Sequence, residues 1–160
     1  MSSDCCSVSG RSQKDAALCP RCGEKGKPVS LVTVGAMAKT EVEAAKLSAQ
    51  EYKLCRNGDC PVVYYAGEVQ LEKSELRVPV NFKERNYDGP VCYCFNHTVA
   101  SMRAEIQSRG RSTAQAMITH EVKAGHCACE IKNPAGTCCL GDVIRVVQQV
   151  LVDIGKKPPK

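Results

Sequence analysis

The sequence predicts an α+β fold, with a small antiparallel sheet lobe in the first half of the chain and a helical lobe in the second half. Short apolar runs bounded by Gly, Pro and Asn fill the first half, whereas helix-capping residues and helical apolar spacing begin near Thr98. The chain has 160 residues, of which 4% are aromatic and none is Trp. This composition disfavours a single large core and favours two small lobes.

Cysteine usage indicates a metal-binding protein. The chain contains 12 cysteines, and residues 1–20 hold no apolar run of the kind that forms a signal peptide. We therefore expect a cytoplasmic protein, because thiols stay reduced there and closely spaced cysteines bind metals rather than form disulfides. No stretch is long enough to cross a membrane, so we expect no membrane insertion.

The charge pattern gives no sign of a nucleic-acid partner. The net charge is +5, and the basic residues are scattered, without a stripe that carries interleaved aromatic residues. The sequence also offers no pairing of nucleophile with base and no nucleotide-binding loop. We therefore expect an electron-transfer or metal-trafficking protein rather than an enzyme.

Residues 1–17 are rich in Ser, Asp, Lys and Gln without periodicity, and we expect a flexible leader. The leader contains the adjacent cysteines Cys5 and Cys6. Neighbouring thiolates suit a tetrahedral structural site poorly, but soft Cu(I) accepts sparse thiolate ligation. Cys5 and Cys6 are therefore candidate Cu(I) ligands, the alternative being an incidental pair.

Two cysteine pairs predict a zinc-binding, β-rich domain over residues 18–82. Cys19 and Cys22 form C-x2-C, and Cys55 and Cys60 form C-x4-C around an Asn-Gly turn. Together they supply a closed four-thiolate set, which is typical of structural Zn²⁺. A thioredoxin-like redox motif is disfavoured because the first pair does not sit in a βαβ pattern.

Short elements are predicted around these cysteines. Thr40 is expected to cap a short helix, and Gly67 to turn a hairpin. Pro79 restricts the last strand to a sheet edge. The predicted strands cover residues 29–34, 62–66, 69–71 and 76–80. Residues 83–89, which are polar and rich in turn-forming residues, are expected to connect the two lobes.

Three helices are predicted in the second lobe, residues 90–154. The first is capped by Thr98 and ends near Gly110, and the second is capped by Ser112. A hairpin of these two helices would bring the chain back close to the start of the lobe. The apolar faces expected for the three helices are Val99, Met102 and Ile106; Ala116, Met117 and Ile118; and Val143, Val147, Val150 and Leu151.

Cysteines at the two ends of this lobe predict an iron–sulfur site. Cys92 and Cys94 form C-x-C, and the partner thiolates come from Cys127 or Cys129 and from Cys138 or Cys139. Four sulfurs from two loops match the requirement of a 2Fe-2S cluster. Cys139 directly precedes the last helix, whose positive N-terminal end favours a thiolate, although Cys138 stays an alternative.

The motifs resemble a known family. V-C-Y-C at Val91 and N-P-A-G-T-C-C at Asn133 are similar to the N-terminal domain of the copper chaperones of the CopZ type, which carries zinc and a 2Fe-2S cluster. Further similar segments are C-P-R-C, V-S-L-V-T-V-G-A, C-R-N-G-D-C and V-V-Y-Y, so the resemblance spans about residues 18–140. Residues 90–154 also resemble the bacterioferritin-associated ferredoxin domain.

The resemblance implies a ligand set and a function. Cys129 is in register with the single cysteine before N-P-x-G in CopZ, and Cys127 has no counterpart there, so the implied ligands are Cys92, Cys94, Cys129 and Cys139. The implied function is copper handling, as a one-electron redox accessory that reduces Cu(II) to Cu(I), with a copper-exporting P-type ATPase as partner. The alternative is a small ferredoxin for another redox protein. CopZ continues into a heavy-metal-binding domain, whereas no such domain follows Gly155 in this sequence. We therefore expect an accessory redox role rather than direct Cu(I) delivery.

Overall fold

The structure is a computed structural model that describes residues 17–47 and 51–155. The candidate Cu(I) ligands Cys5 and Cys6 lie outside the described residues, as does the predicted leader up to residue 16. The described residues form an antiparallel sheet followed by a group of helices, which confirms the predicted α+β class.

The first lobe is built on a four-stranded antiparallel sheet of described residues, with strand order β1-β2-β3-β4. Its strands are β1 (Lys27–Val29), β2 (Tyr52–Leu54), β3 (Val62–Ala66) and β4 (Val69–Glu72). Two helices, α1 (Leu31–Met37) and α2 (Thr40–Lys46), connect β1 to β2. The predicted hairpin of β3 and β4 is confirmed, and Gly67 turns it with a φ of 57°.

The predicted strand over residues 29–34 is wrong, because most of this segment is helix α1. Ser30 caps the helix, since its hydroxyl accepts a hydrogen bond from the Val32 amide. Thr33, Val34 and Met37 are buried, and this spacing places them on one helical face. The helix has only 7 residues, so a helical spacing of apolar residues is not apparent in the sequence. The β-branched residues of this segment instead favour a strand prediction.

The predicted edge strand over residues 76–80 is also wrong. Leu76 forms an isolated antiparallel bridge with Ala38, and the chain then turns into a short 3-10 helix at Asn81–Lys83. Pro79 has no amide hydrogen to extend the pairing. The sheet is completed instead by β2, which the sequence did not predict because it has only 3 residues.

The second lobe begins with a short hairpin and continues as four helices of the described chain. These elements are β5 (Pro90–Cys92), β6 (His97–Thr98), α3 (Val99–Arg109), α4 (Ala114–Lys123), α5 (Cys129–Lys132) and α6 (Leu140–Asp153). As predicted, Thr98 caps α3 by accepting a hydrogen bond from the Ser101 amide, and Gly110 ends it with a φ of 76°. Helices α3 and α4 both pack against α6.

Helix α4 begins later than predicted and turns a different face to the core. Its N-cap is Thr113, while the Ser112 hydroxyl accepts a hydrogen bond from the Ala114 amide. Ala114 and Ile118 are buried, whereas Met117 is 52% exposed. The predicted Ser112 cap was therefore one residue early, and of the predicted apolar face Ile118 is buried, whereas Ala116 and Met117 are exposed. None of the helices that the structure describes is long and apolar enough to span a membrane.

Candidate metal centres

Four cysteine sulfurs of the sheet lobe meet at one point. Cys19 Sγ lies 3.9 Å from Cys60 Sγ, and Cys22 Sγ lies 3.6 Å from Cys55 Sγ. All four sulfurs lie within 4.8 Å of one another. A tetrahedral zinc ion with Zn–S bonds of about 2.3 Å has sulfur–sulfur edges of about 3.8 Å. The four sulfurs are therefore spaced to hold one zinc ion.

The first cysteine pair lies in a tight turn held against the sheet. The Gly23 amide donates to the Cys19 carbonyl over 2.8 Å, and Gly23 has a φ of 75°. Tyr65 of β3 secures both sides of this turn, because its hydroxyl donates to the Ala17 carbonyl (2.7 Å) and accepts from the Gly26 amide (2.9 Å).

The second cysteine pair is held by a lysine that sequence analysis missed. Lys83 is only 2% exposed, and its Nζ donates to the carbonyls of Asn57 (2.8 Å) and Cys60 (3.2 Å). The Asn57 side chain also accepts from the Asp59 amide, which closes the turn. Lys83 lies at the end of the sheet lobe among polar residues, and no local pattern marks it as buried.

Burial governs the acidity of these thiols. It raises the pKa of Cys55 to about 12, against the opposing effect of the Lys83 ammonium, and it also raises the pKa of Cys60. At Cys22 burial acts in the same direction, but hydrogen bonds from the Glu24 amide and the other sulfurs outweigh it and lower the pKa. Zinc binding must therefore displace protons from the buried members of the set.

A second group of sulfurs lies in the helical lobe and consists of two pairs. Cys94 Sγ lies 3.6 Å from Cys129 Sγ, and the buried thiols of Cys92 and Cys139 pack in one core cluster, where each shifts the pKa of the other. The pairs are close enough for the charge of Cys129 to act on Cys139. The structure thus brings together the four predicted cysteines of this lobe, as two pairs.

The two alternative cysteines occupy different environments. Cys138 is exposed, whereas the adjacent Cys139 is 1% exposed. Cys127 is half-buried, and both alternatives are close enough to Cys129 to raise its pKa electrostatically. Cys129 and Cys139, the predicted ligands, are the cysteines that lie against Cys94 and Cys92.

Local structure explains how the pairs form. Cys92 ends β5 and Cys94 lies in the β5–β6 turn, where Asn96 adopts a φ of 53°. The Ala128 amide donates to Cys94 Sγ over 3.3 Å, just before α5 begins at Cys129. Cys139 is the N-cap residue of α6, as the sequence indicated. The α3–α4 hairpin brings these ends of the lobe together.

The sulfur contacts shift the acidity of this group in opposite directions. The contact with the Cys139 thiol lowers the pKa of Cys92 to about 6, although burial opposes this, and the same contact together with burial raises the pKa of Cys139. This is the opposite of the thiolate expected for Cys139 at the N-terminus of α6. Burial, aided by the Cys94 sulfur, raises the pKa of Cys129 to about 12.

The segment between Cys129 and Cys139, here called the ligand loop, rests on the sheet lobe. The Thr33 hydroxyl of α1 donates to the Glu130 carbonyl over 2.7 Å, and the Tyr64 hydroxyl of β3 donates to the Pro134 carbonyl over 2.6 Å. Gly136 has a φ of 67°, and a Cβ there would lie 2.7 Å from Thr33 Oγ1. Neither hydroxyl was predicted from the sequence. The adjacent tyrosines of V-V-Y-Y, one on each face of a strand, are the only signal that could have indicated Tyr64.

Comparison with known proteins agrees with this geometry. Residues 16–77 match the family model zf_CopZ, a zinc binding domain, and the match spans all four cysteines of the sheet lobe. These residues form a CopZ-like zinc-binding domain. The match supports the predicted zinc binding by this lobe, while the bounds 18–82 stay a prediction.

Two relatives extend the similarity beyond this domain. Over 121 residues the chain is 35% identical to the copper chaperone CopZ of Archaeoglobus fulgidus, covering 76% of this chain and 57% of that protein. The chain thus spans little more than half the length of this relative. The X-ray structure of the Archaeoglobus fulgidus CopZ N-terminal domain matches with a TM-score of 0.62 and 27% identity, covering 87% of this chain and 98% of that one.

Proposed function

We propose that this chain is a zinc and 2Fe-2S metalloprotein that acts in copper handling as a one-electron redox accessory and has no enzymatic reaction of its own. The observation that carries the proposal is the pairing of Cys94 with Cys129, whose sulfurs lie 3.6 Å apart, beside the buried thiols of Cys92 and Cys139 in the same core cluster. A 2Fe-2S cluster takes two protein ligands on each of its irons. Two neighbouring thiol pairs fit that requirement, whereas the single compact set of the sheet lobe fits one zinc ion.

The environment of the pairs suits this role. Cys92 and Cys139 are buried, and Cys94 and Cys129 are partly exposed, so one side of the centre lies near solvent. A cluster held there would supply single electrons, such as the one that converts Cu(II) to Cu(I). The partly exposed cysteines Cys94 and Cys129 then mark the side at which a partner would approach.

The copper role draws on the similarity to a copper chaperone. Its proposed partner is a copper-exporting P-type ATPase. The thiolates of Cys5 and Cys6 are the proposed Cu(I) ligands, because soft Cu(I) binds sulfur and passes between thiolates by ligand exchange.

Anaerobic reconstitution tests the cluster and its ligands. We expect about two irons and about one zinc per chain. Cys129→Ser and Cys139→Ser should lose most of the iron and the visible absorbance. The matched controls Cys127→Ser and Cys138→Ser should keep both. A colourless protein that holds only zinc would overturn the cluster, and iron loss in the controls instead of the test variants would overturn the ligand set.

A second experiment tests the copper role. Dithionite-reduced protein is mixed with Cu(II) under a Cu(I)-specific chelator, and wild type is compared with Cys5→Ser/Cys6→Ser. We expect reoxidation of the protein to match the Cu(I) formed, and the double variant to bind less Cu(I). If reoxidation and Cu(I) formation are uncoupled, the copper role is wrong.

A small ferredoxin that serves another redox partner is the second candidate. It is supported by the resemblance of residues 90–154 to the bacterioferritin-associated ferredoxin domain and by the partial exposure of Cys94 and Cys129, which leaves one side of the centre open to a redox protein. In that case wild type would hold a reducible cluster but transfer electrons to a redox protein and not to Cu(II). The copper experiment therefore separates the two candidates.

A further inference from the structure

We propose that Thr33 and Tyr64 are positioning residues for the iron–sulfur centre, holding the ligand loop from the zinc-binding lobe. The inference rests on the proposed function, because it assumes a cluster on Cys92, Cys94, Cys129 and Cys139. It assigns a role to two buried hydroxyls that touch no cysteine. Each instead binds a backbone carbonyl of the ligand loop.

Tyr64 holds the middle of the loop. Its side chain is fully buried, and its hydroxyl bond to the Pro134 carbonyl, at 2.6 Å, is short. Burial raises the pKa of Tyr64, so the hydroxyl stays protonated and can only donate to this carbonyl. Pro134 is itself buried, and Ala135 packs on the core of the sheet lobe. The loop is therefore fixed to the sheet where it turns toward Cys139.

Thr33 holds the start of the loop. It is fully buried on α1, and its hydroxyl bonds to the carbonyl of Glu130, the residue that directly follows Cys129. Helix α1 packs along α5, which begins at Cys129. Gly136 lies against the same threonine, where a Cβ would come within 2.7 Å of Thr33 Oγ1. One side chain thus contacts the loop at two separated points.

Strand β3 connects these contacts to the zinc centre. Tyr65 packs with Cys19, Cys55 and Cys60 in one buried cluster, while Tyr64 belongs to the main core of the sheet lobe. Adjacent side chains of a strand point to opposite faces, so one strand contacts the zinc centre on one face and the ligand loop on the other. Because the loop carries Cys129 and Cys139, the sheet lobe sets where these two sulfurs stand relative to Cys92 and Cys94.

Isosteric variants test the proposal on the full-length, reconstituted protein. Tyr64→Phe and Thr33→Val each remove a hydroxyl and its hydrogen bond to a carbonyl of the ligand loop, and the Pro134 carbonyl that Tyr64→Phe leaves unpaired is buried. Residues behind metal ligands typically affect metal affinity 10- to 100-fold, so we expect iron loss to a chelator to accelerate on the order of tenfold. The visible circular dichroism and the reduction potential should shift as well. Thr33→Ser, which keeps the hydroxyl, should restore the wild-type values.

The matched control is Tyr52→Phe. Tyr52 is buried in the same sheet, and its hydroxyl donates to the Lys46 carbonyl over 2.8 Å, away from the ligand loop. Tyr52→Phe should lower the unfolding temperature about as much as Tyr64→Phe does. It should leave the iron-loss rate, the visible circular dichroism and the reduction potential unchanged.

The outcomes separate this inference from the function on which it rests. If wild type assembles no cluster, the proposed function is wrong. If wild type assembles one and Tyr64→Phe and Thr33→Val match it in all three cluster readouts, only the positioning role is wrong. The positioning role is also overturned if Tyr52→Phe changes those readouts as much as Tyr64→Phe, because a general loss of stability would then account for both.

Discussion

At the residue scale, Lys83 stabilises the loop of the second cysteine pair through two backbone carbonyls. The turn of Cys19 and Cys22 and the loop of Cys55 and Cys60 are here called the first and second zinc knuckles. Its Nζ donates to Asn57 and Cys60, within the loop that carries Cys55 and Cys60. Its positive charge also opposes the rise in the pKa of Cys55 that burial causes. The charge therefore favours the thiolate form that zinc requires.

Lys83→Met should lower the free energy of unfolding by about 2 kcal/mol, because hydrogen bonds to charged groups contribute about that much and the buried Cys60 carbonyl would lose this partner. Zinc should also pass to a chelator faster. The control is Lys25→Met, the same change at an exposed lysine beside the first knuckle. Urea unfolding and a colorimetric zinc assay measure both effects. Equal values for the two variants would show that Lys83 does not support the knuckle.

At the element scale, Glu105 joins α3 to the start of α4. Its carboxylate accepts hydrogen bonds from the Thr113 amide (2.9 Å) and the Thr113 hydroxyl (2.8 Å). Slight burial would raise the pKa of Glu105, but these bonds outweigh it and lower the pKa below its ordinary 4.5. The carboxylate thus stabilises the hairpin that brings the cysteine pairs together. The stabilisation by the Glu105 carboxylate is fully present above the ordinary pKa of 4.5. It is lost as the pH falls through the lowered pKa of the folded state.

Glu105→Gln should therefore destabilise the protein by about 1 kcal/mol near neutral pH, and the difference from wild type should shrink in acid. Thermal unfolding of both proteins at several pH values measures it. A destabilisation that stays constant below the ordinary carboxyl pKa would contradict this role of the charge.

The elements also show what the sequence can predict. Helices α3 and α6 were predicted because they have 11 and 14 residues, enough for a helical period to appear. Helix α1 and strand β2 have 7 and 3 residues, and their structures are decided by the core and sheet they join. The cysteine groups were predicted from their spacing. Lys83, Thr33 and Tyr64 were not, because each acts on a backbone carbonyl that is distant in sequence.

At the scale of the whole molecule, zinc supports a lobe with little core of its own. The strands of the sheet have between 3 and 5 residues, and the zinc cysteines close a separate small cluster beside the main core. Structural zinc sites contribute on the order of 10 kcal/mol of apparent binding free energy. Because Thr33 and Tyr64 extend from this lobe to the ligand loop, zinc loss would reach the helical lobe as well.

Zinc affinity should fall as the pH falls. Burial raises the pKa of Cys55 from 9.0 to about 12 and raises that of Cys60, so both thiols are protonated near neutral pH and zinc must displace both protons. Well below pH 9.0 these thiols are mainly protonated in both the zinc-free folded state and the unfolded chain, so the pH dependence there comes from zinc binding and not from the zinc-free fold. Competition with a chelator of known affinity, at about pH 6 and about pH 8, measures the effect. We expect the apparent affinity to rise at least 100-fold per pH unit, as release of two protons requires. An affinity independent of pH would show that these thiols are ionised before zinc binds.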